Sequence, residues 1–167
     1  MLPAMNARRV GPGEIEPLHA IVAACGLDMQ RRLGLSHWVP PHPLDRMRDD
    51  ARERSVFALE QDGAIVGTFT VGASAQASYP PGMWRGAEPA LYLNRLAILP
   101  SLQGRGLGKL GMAAVEAEAR RGGFRSLRFD AIAGNEPLLA FYRRLGYEER
   151  GETRIGCGAV ICFERAT

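Results

Sequence analysis

Gln103-Gly104-Arg105-Gly106-Leu107-Gly108-Lys109 is the stretch whose reading decides the fold. It lies between an apolar, strand-like segment, Leu91 to Leu99, and a helix-like one, Leu107 to Arg121. A glycine-rich turn entering a helix leaves several backbone N–H groups without an intrahelical partner, and the positive end of the helix dipole reinforces them. Glycines at alternate positions let the backbone approach a ligand more closely than side chains allow. Gly106 and Gly108 each cost about 1 kcal/mol of helix propensity, which a purely structural turn has little reason to bear. The combination predicts an anion site suited to phosphate.

Outward from the turn, the chain reads as one mixed α/β domain over residues 1–167. Upstream, Ile15, Leu18, Ile21, Val22 and Cys25 follow helical spacing from Glu14 to Ala24, and Gly26 is expected to interrupt that helix. Gly34 to Pro43 holds Trp38 and three prolines and reads as a loop; Leu44 to Arg54 reads as a second helix, polar on most faces. Val56 to Glu60 and Ala64 to Val71 are β-rich and joined by Gln61-Asp62-Gly63, an Asp-Gly hairpin signal. Ala73 to Pro89 is a long connection carrying Tyr79 and Trp84, and long ordered loops in compact domains are more often functional than accidental.

Downstream, the helix from Leu107 stops at Gly122-Gly123, and Ser126 to Ala131 is a strand. Asn135-Glu136-Pro137 is an N-cap with proline in the first turn, and Leu138, Phe141, Tyr142 and Leu145 are expected as the apolar stripe of the helix it opens. Tyr147 to Ile155 and Ala159 to Arg165 finish the chain as strands.

Composition narrows the class further. The 167 residues, 46% hydrophobic and 23% charged, suit one soluble domain with a real core. No apolar run approaches the ~20 residues that span a bilayer, and Met1-Leu2-Pro3-Ala4 does not open a secretory signal, so cytoplasmic residence is expected. The net charge of +3 is spread among acids, as in Arg46-Met47-Arg48-Asp49-Asp50, which argues for solvated helix faces rather than a nucleic-acid footprint. Cys25, Cys157 and Cys162 form no CxxC pair and read as incidental thiols; His37 and His42 have no matching ligand set, and no metal site is expected.

Three phosphate-binding patterns compete for the turn. A P-loop, G-x-x-x-x-G-K-[ST], fails at both ends, because Gln103 replaces its first glycine and Leu110 follows Lys109. A dinucleotide-binding G-x-G-x-x-G matches Gly106, Gly108 and Gly111, with Asp130 downstream. The remainder of the chain, however, reads strand–helix–strand–strand rather than repeated βαβ units. The third pattern is Q-x-x-G-x-G at Gln103, Gly106 and Gly108. With Leu93-Asn94-Arg95-Leu96-Ala97-Ile98-Leu99-Pro100 before it, this resembles motif A of the GNAT superfamily of acyl-CoA-dependent N-acetyltransferases. The run Asn135…Leu138…Phe141-Tyr142-Arg143-Arg144-Leu145-Gly146-Tyr147 is similar to that family's motif B, and the resemblance covers roughly Val56 to Tyr147.

The resemblance implies a central, mostly antiparallel sheet with one splayed parallel strand pair and helices on both faces. It implies acetyl-CoA as co-substrate, its pyrophosphate on the N–H groups of Gln103, Gly104, Arg105, Gly106, Leu107, Gly108 and Lys109. Its pantetheine arm would add to the strand at Leu96, Ala97 and Ile98, where one N–H polarises the thioester carbonyl. Asn135 and Tyr142 match the family's motif B positions, and Tyr142 the tyrosine that protonates the departing thiolate. Asn135 as a cap alone and Tyr142 as a core aromatic alone are the plainer readings. Glu88, just before the motif A strand, is the candidate general base, with a water relay as the alternative.

Trp38, Tyr79 and Trp84 are candidates for an aromatic wall around the acceptor, or for loop anchors. The implied partner is a small-molecule or peptide amine, with no nucleic acid or membrane, and the family resemblance is compatible with a homodimer. The loops are poor in acids, which favours a small amine over a polycation such as an aminoglycoside. A non-catalytic acyl-CoA-sensing module on the same fold is the rival reading.

Overall fold

The computed structural model describes residues 4–167, so the Met1–Pro3 part of the N-terminal reading lies outside the described residues. Along the chain come β1 (Asn6–Val10), α1 (Ile15–Leu33), α2 (Leu44–Glu53), β2 (Ser55–Gln61), β3 (Ala64–Gly72), β4 (Ala90–Ile98), α3 (Leu107–Arg121), β5 (Ser126–Ile132), α4 (Glu136–Arg144), β6 (Glu148–Ile155) and β7 (Gly158–Ala166). No helix among the described residues is long and apolar enough to cross a membrane. The strands follow the order β1-β2-β3-β4-β5-β7-β6, a mixed sheet. The chain divides into two compact units: residues up to Val71 with Arg95–Val115, and Gly72–Asn94 with Glu116–Thr167.

In the first unit β1, β2 and β3 form antiparallel ladders. Asp62 and Gly63 both adopt positive φ, 51° and 78°, as a tight hairpin of this hand requires. The two-residue period of β2 sends Val56 and Ala58 to one face, where they join Ile15, Leu18 and Val22 of α1, Met47 and Ala51 of α2, and Ala97 of β4 in one buried cluster. On the other face α3 lies close: a Cβ at Gly111 would stand 3.1 Å from Leu96 Cδ1 and 3.4 Å from Leu59 Cδ1. The third glycine of the dinucleotide-like pattern is therefore explained by helix–sheet packing.

One expectation fails here. α1 does not stop at Gly26 but continues to Leu33, ending on Gly34 in the left-handed region at φ 67°. Gly26 serves a close approach instead, because a Cβ there would stand 2.4 Å from the Trp38 carbonyl oxygen. β1 is also absent from the sequence reading: Asn6-Ala7-Arg8-Arg9-Val10 has only one fully buried side chain, Val10, and so carries no clear alternation.

In the second unit β4 and β5 pair in parallel from Ala90↔Ser126 to Tyr92↔Arg128, and the ladder stops there although both strands continue. β5 pairs antiparallel with β7, and β7 with β6. Phe129 of β5 and Phe163 of β7 stack at 5.6 Å, and α4 covers them. The fully buried residues of α4 are Leu139 and Tyr142, so its stripe is centred one residue from the expected set, with Leu138, Phe141 and Leu145 only half-buried. The opposite face of β5 and β7 carries Arg128 and Glu164, to which residues of the 73–89 connection bond.

Candidate functional site

The glycine turn belongs to the first unit. A single 3-10 turn, Pro100–Leu102, separates it from β4. Gln103 fixes its start: the backbone N–H donates to the Pro100 carbonyl at 3.3 Å, and the side-chain Nε2 donates to the Ile98 carbonyl at 3.0 Å. The Cys25 thiol donates to the same Ile98 oxygen at 3.1 Å, and burial pushes that thiol up to about 12, so it stays protonated. Gln103 thereby locks the end of β4 to the turn and has little left for a ligand.

Beyond Gln103 the backbone opens. Gly104 and Gly106 sit at φ 77° and 84°, where an L side chain is strained. Leu107 is buried and anchors the start of α3. The first α3-closing bond runs from the Leu110 N–H to the Gly106 carbonyl at 3.2 Å. Among the described residues the N–H groups from Gly104 to Lys109 find no intramolecular acceptor. Arg105 and Lys109 are exposed and form no ion pair there. Consecutive unsatisfied donors at a helix N-terminus, flanked by two free cations, fit a pyrophosphate.

Further up β4, Arg95 is held at φ 50° in mid-strand, a conformation that costs a non-glycine residue of order 1–3 kcal/mol. Its side chain is anchored by an ion pair to Asp50 of α2, and His42 Nε2 lies 3.6 Å from the same carboxylate. The strained residue immediately precedes Leu96, Ala97 and Ile98, so it sets the direction of their N–H groups. Leu96 is half-buried against α3; Ala97 and Ile98 are buried. Trp38 is part of this unit's core packing and has its backbone carbonyl against Gly26, which is the loop-anchoring alternative.

The remaining candidates belong to the second unit. Asn135 caps α4, its Oδ1 accepting from the Leu138 N–H at 3.3 Å. The ring of Tyr142 packs 4.6 Å from Phe129 and 5.4 Å from Phe163. Its hydroxyl makes no hydrogen bond among the described residues. Burial, followed by the charge of Asp130, raises its pKa above the ordinary phenol value.

Tyr79 and Trp84 do meet, edge to face at 5.1 Å, and Tyr92 completes a trio at 6.4 and 6.2 Å. Glu88 is exposed and ion-paired with buried Arg128 at 2.5 Å. Sequence reasoning missed Tyr92 and Arg128 here, and it considered Asp130 only as a dinucleotide acid. For Arg128 and Asp130 the signal was the alternation Leu127-Arg128-Phe129-Asp130-Ala131, whose polar members would ordinarily face water.

These features define a mixed α/β protein with a glycine-rich turn at the mouth of α3. A family model described as the Acetyltransferase (GNAT) family matches residues 27–147, and the chain belongs to that family. It is 29% identical over 103 residues to an uncharacterized N-acetyltransferase, YesJ of Bacillus subtilis, the match covering 60% of this chain and 57% of YesJ. The chain thus spans little more than half the length of that relative. It is 30% identical over 129 residues to an aminoglycoside N(6')-acetyltransferase type 1 of Salmonella typhimurium, covering 74% of this chain and 86% of that protein.

Among solved structures, a GNAT-family acetyltransferase from Streptococcus agalactiae superposes with a TM-score of 0.80 at 18% identity, covering 98% of this chain and 95% of that one. PaiA N-acetyltransferase from Thermoplasma acidophilum, solved in complex with coenzyme A, gives 0.72 at 13% identity, covering 98% and 99%.

Proposed function

We propose that the protein is an N-acetyltransferase that moves an acetyl group from acetyl-CoA to a primary amine of a small molecule or peptide, by direct transfer in a ternary complex. The observation that carries this reading is the run of unsatisfied N–H groups from Gly104 to Lys109, with Arg105 and Lys109 beside it. These donors would hold the pyrophosphate, each charge-assisted bond contributing about 1.5–3 kcal/mol. The coenzyme A complex of the Thermoplasma relative supports the choice of ligand.

Leu96, Ala97 and Ile98 would pair with the pantetheine arm, and a backbone N–H at Leu96 or Ile98 would stabilise the oxyanion formed as the amine attacks the thioester carbonyl. Tyr142 is the acid in this reading. With reference values of ~8.5 for a thiol and ~10 for tyrosine, full proton transfer is uphill by about 2 kcal/mol, and the raised Tyr142 makes it more so. Tyr142 therefore acts best through a hydrogen bond that strengthens as the sulfur becomes anionic. Its hydroxyl, without a partner among the described residues, favours an enzyme over a non-catalytic acyl-CoA sensor, which needs no such group.

The acceptor we favour is a small amine with one positive charge, since Ala73–Pro89 contains a single acidic residue, Glu88. The name of the Salmonella relative makes an aminoglycoside the competing acceptor. Cytoplasmic residence and action as a single N-acetyltransferase domain complete the proposal. Titration with acetyl-CoA, CoA and NAD(P)H, followed by an amine panel scored for thiol release, tests it. Stabilisation by acetyl-CoA and acetylation of an amine are the expected results; stabilisation by NAD(P)H and not by CoA overturns the reading.

A further inference from the structure

Alternation along β5 gives its two faces different chemistry. Phe129 points to the face covered by α4, where its ring meets Tyr142. Arg128 and Asp130, offset by one residue, lie on the opposite face. Asp130 is also the next residue on that face after Tyr92↔Arg128, the last pair of the β4–β5 ladder. It therefore stands where the two strands stop pairing, with Tyr142 behind the same strand.

Asp130 is a half-buried carboxylate without a cationic partner among the described residues. Every other buried or half-buried carboxylate among the described residues is ion-paired with arginine: Asp28, Asp49, Asp50, Glu60, Glu116, Glu118 and Glu164. Asp130 instead accepts, on Oδ2 alone, a short hydrogen bond from the Tyr79 hydroxyl and one from Gln76 Nε2 at 3.4 Å. Oδ1 has no partner among the described residues. A carboxylate that merely tied the 73–89 connection to β5 would still need its charge matched, since unpaired buried charge is costly. The nearby guanidinium cannot match it. Arg128 lies over Trp84 and Tyr92 and is held by Glu164 and Glu88. Trp84 Nε1 is buried beside it without a partner among the described residues.

We propose that Asp130 receives the ammonium group of the acceptor in a subsite walled by Tyr79, Trp84 and Tyr92, and takes up its proton. This rests on the acetyltransferase reading above. One N–H bond of the ammonium breaks and its proton passes to Asp130. The freed electron pair forms the C–N bond, the C–S bond breaks, and the sulfur takes a proton by way of Tyr142. After the amide nitrogen loses its second proton, the products are the acetylated amine, free thiol and one proton released to water. The acceptor class is a primary alkylamine, cationic in solution, with an apolar or aromatic body. The proton acceptor is then Asp130 rather than Glu88, which already neutralises Arg128.

The test uses the full chain with 2-phenylethylamine, lysine and kanamycin as acceptors, and Asp130→Asn, which keeps an oxygen for the Tyr79 hydroxyl but cannot take the proton. The variant should bind acetyl-CoA within threefold of wild type and lose about 100-fold or more in kcat/KM for the amine, the low end of general-base effects. Tyr79→Phe supplies a readout that a structural tie would not move. The Tyr79 hydrogen bond holds the Asp130 pKa down against burial, so its loss should shift the acid limb of the kcat/KM profile to higher pH. The other titratable or charged groups facing Asp130 are Arg128 on β5, Cys162 opposite it on β7, Cys157 in the adjoining turn, Tyr92 on β4 and, through the strand, Tyr142.

An Asp130→Asn enzyme within threefold of wild type overturns the proposal and leaves the acetyl-CoA reading intact. So does an unmoved acid limb in Tyr79→Phe, or wild type that binds acetyl-CoA while no probe amine is acetylated or perturbs tryptophan fluorescence. Failure to bind acetyl-CoA overturns the acetyltransferase reading instead. Amine binding read by fluorescence in wild type and Asp130→Asn then still decides whether the subsite exists.

Discussion

Arg128 donates from Nε to Glu164 Oε1 at 2.8 Å, with 3% and 1% of the two side chains exposed. Glu164 also accepts from Arg150 at 2.6 Å and from the backbone N–H groups of Arg85 and Gly86 at 3.0 and 2.8 Å. One buried carboxylate thus ties β5, β6, β7 and the connection that carries Tyr79 and Trp84.

This network makes the protein acid-sensitive. Burial alone would raise the Glu164 pKa, but Arg150, the Arg85 N–H, Arg128 and the Gly86 N–H together hold it at about 2, against 4.5 for an unperturbed glutamate. A depressed folded-state pKa contributes stability that is complete above the unfolded value and is lost as pH falls through the folded one. On the order of 3 kcal/mol should therefore disappear between pH 5 and pH 2. Urea unfolding at pH 7, 4 and 3 measures it, and Glu164→Gln should show a shallower decline over that range as well as lower stability at pH 7.

Gly26→Ala should destabilise the fold by about 1–3 kcal/mol through overpacking, because the added methyl would overlap the Trp38 carbonyl, which is backbone and cannot swing away. Gly13→Ala, with nothing within 4 Å of its Cβ position, is the control. Thermal melts that placed the two variants together would contradict the role given to Gly26.

Gly106→Ala places a side chain at φ 84° in the turn. The strain of about 1–2 kcal/mol is relieved by turning the N–H groups away from a common point, so acetyl-CoA should bind roughly 5- to 30-fold more weakly. Calorimetric titration gives the comparison, and an unchanged Kd would show that the turn does not hold the pyrophosphate.

Tyr142→Phe keeps the packing on Phe129 and Phe163 and removes only a hydroxyl with no partner among the described residues. Turnover should fall by about 100-fold while the melting temperature and the acetyl-CoA Kd stay close to wild type. Equal turnover in the two proteins would take Tyr142 out of the mechanism.

The elements most legible in the sequence were those whose signals are local. The Asp62-Gly63 hairpin, the Asn135 cap and the helix opening at Leu107 each announce themselves within a few residues, and all are found. Gly26 misled because its reason lies in Trp38, twelve positions away in sequence and across a loop. β1 was missed because a strand with one buried side chain has no period to detect. Asp130 illustrates the limit best. An acid alternating with apolar residues reads as solvent-facing, and only the 73–89 connection closing over that face shows that the charge is half-buried and unmatched.

The alternation of β5 has a consequence for how such a strand can vary over generations. Phe129 and Asp130 serve opposite sides because they are adjacent, so a single codon gained or lost between Arg128 and Ala131 would exchange the two sides for every residue beyond it. Substitutions there can be graded, but a change in length is all-or-none. A chain that kept both faces of β5 in use could change the strand's side chains one by one, but not the number of residues between its last parallel pair and Asp130.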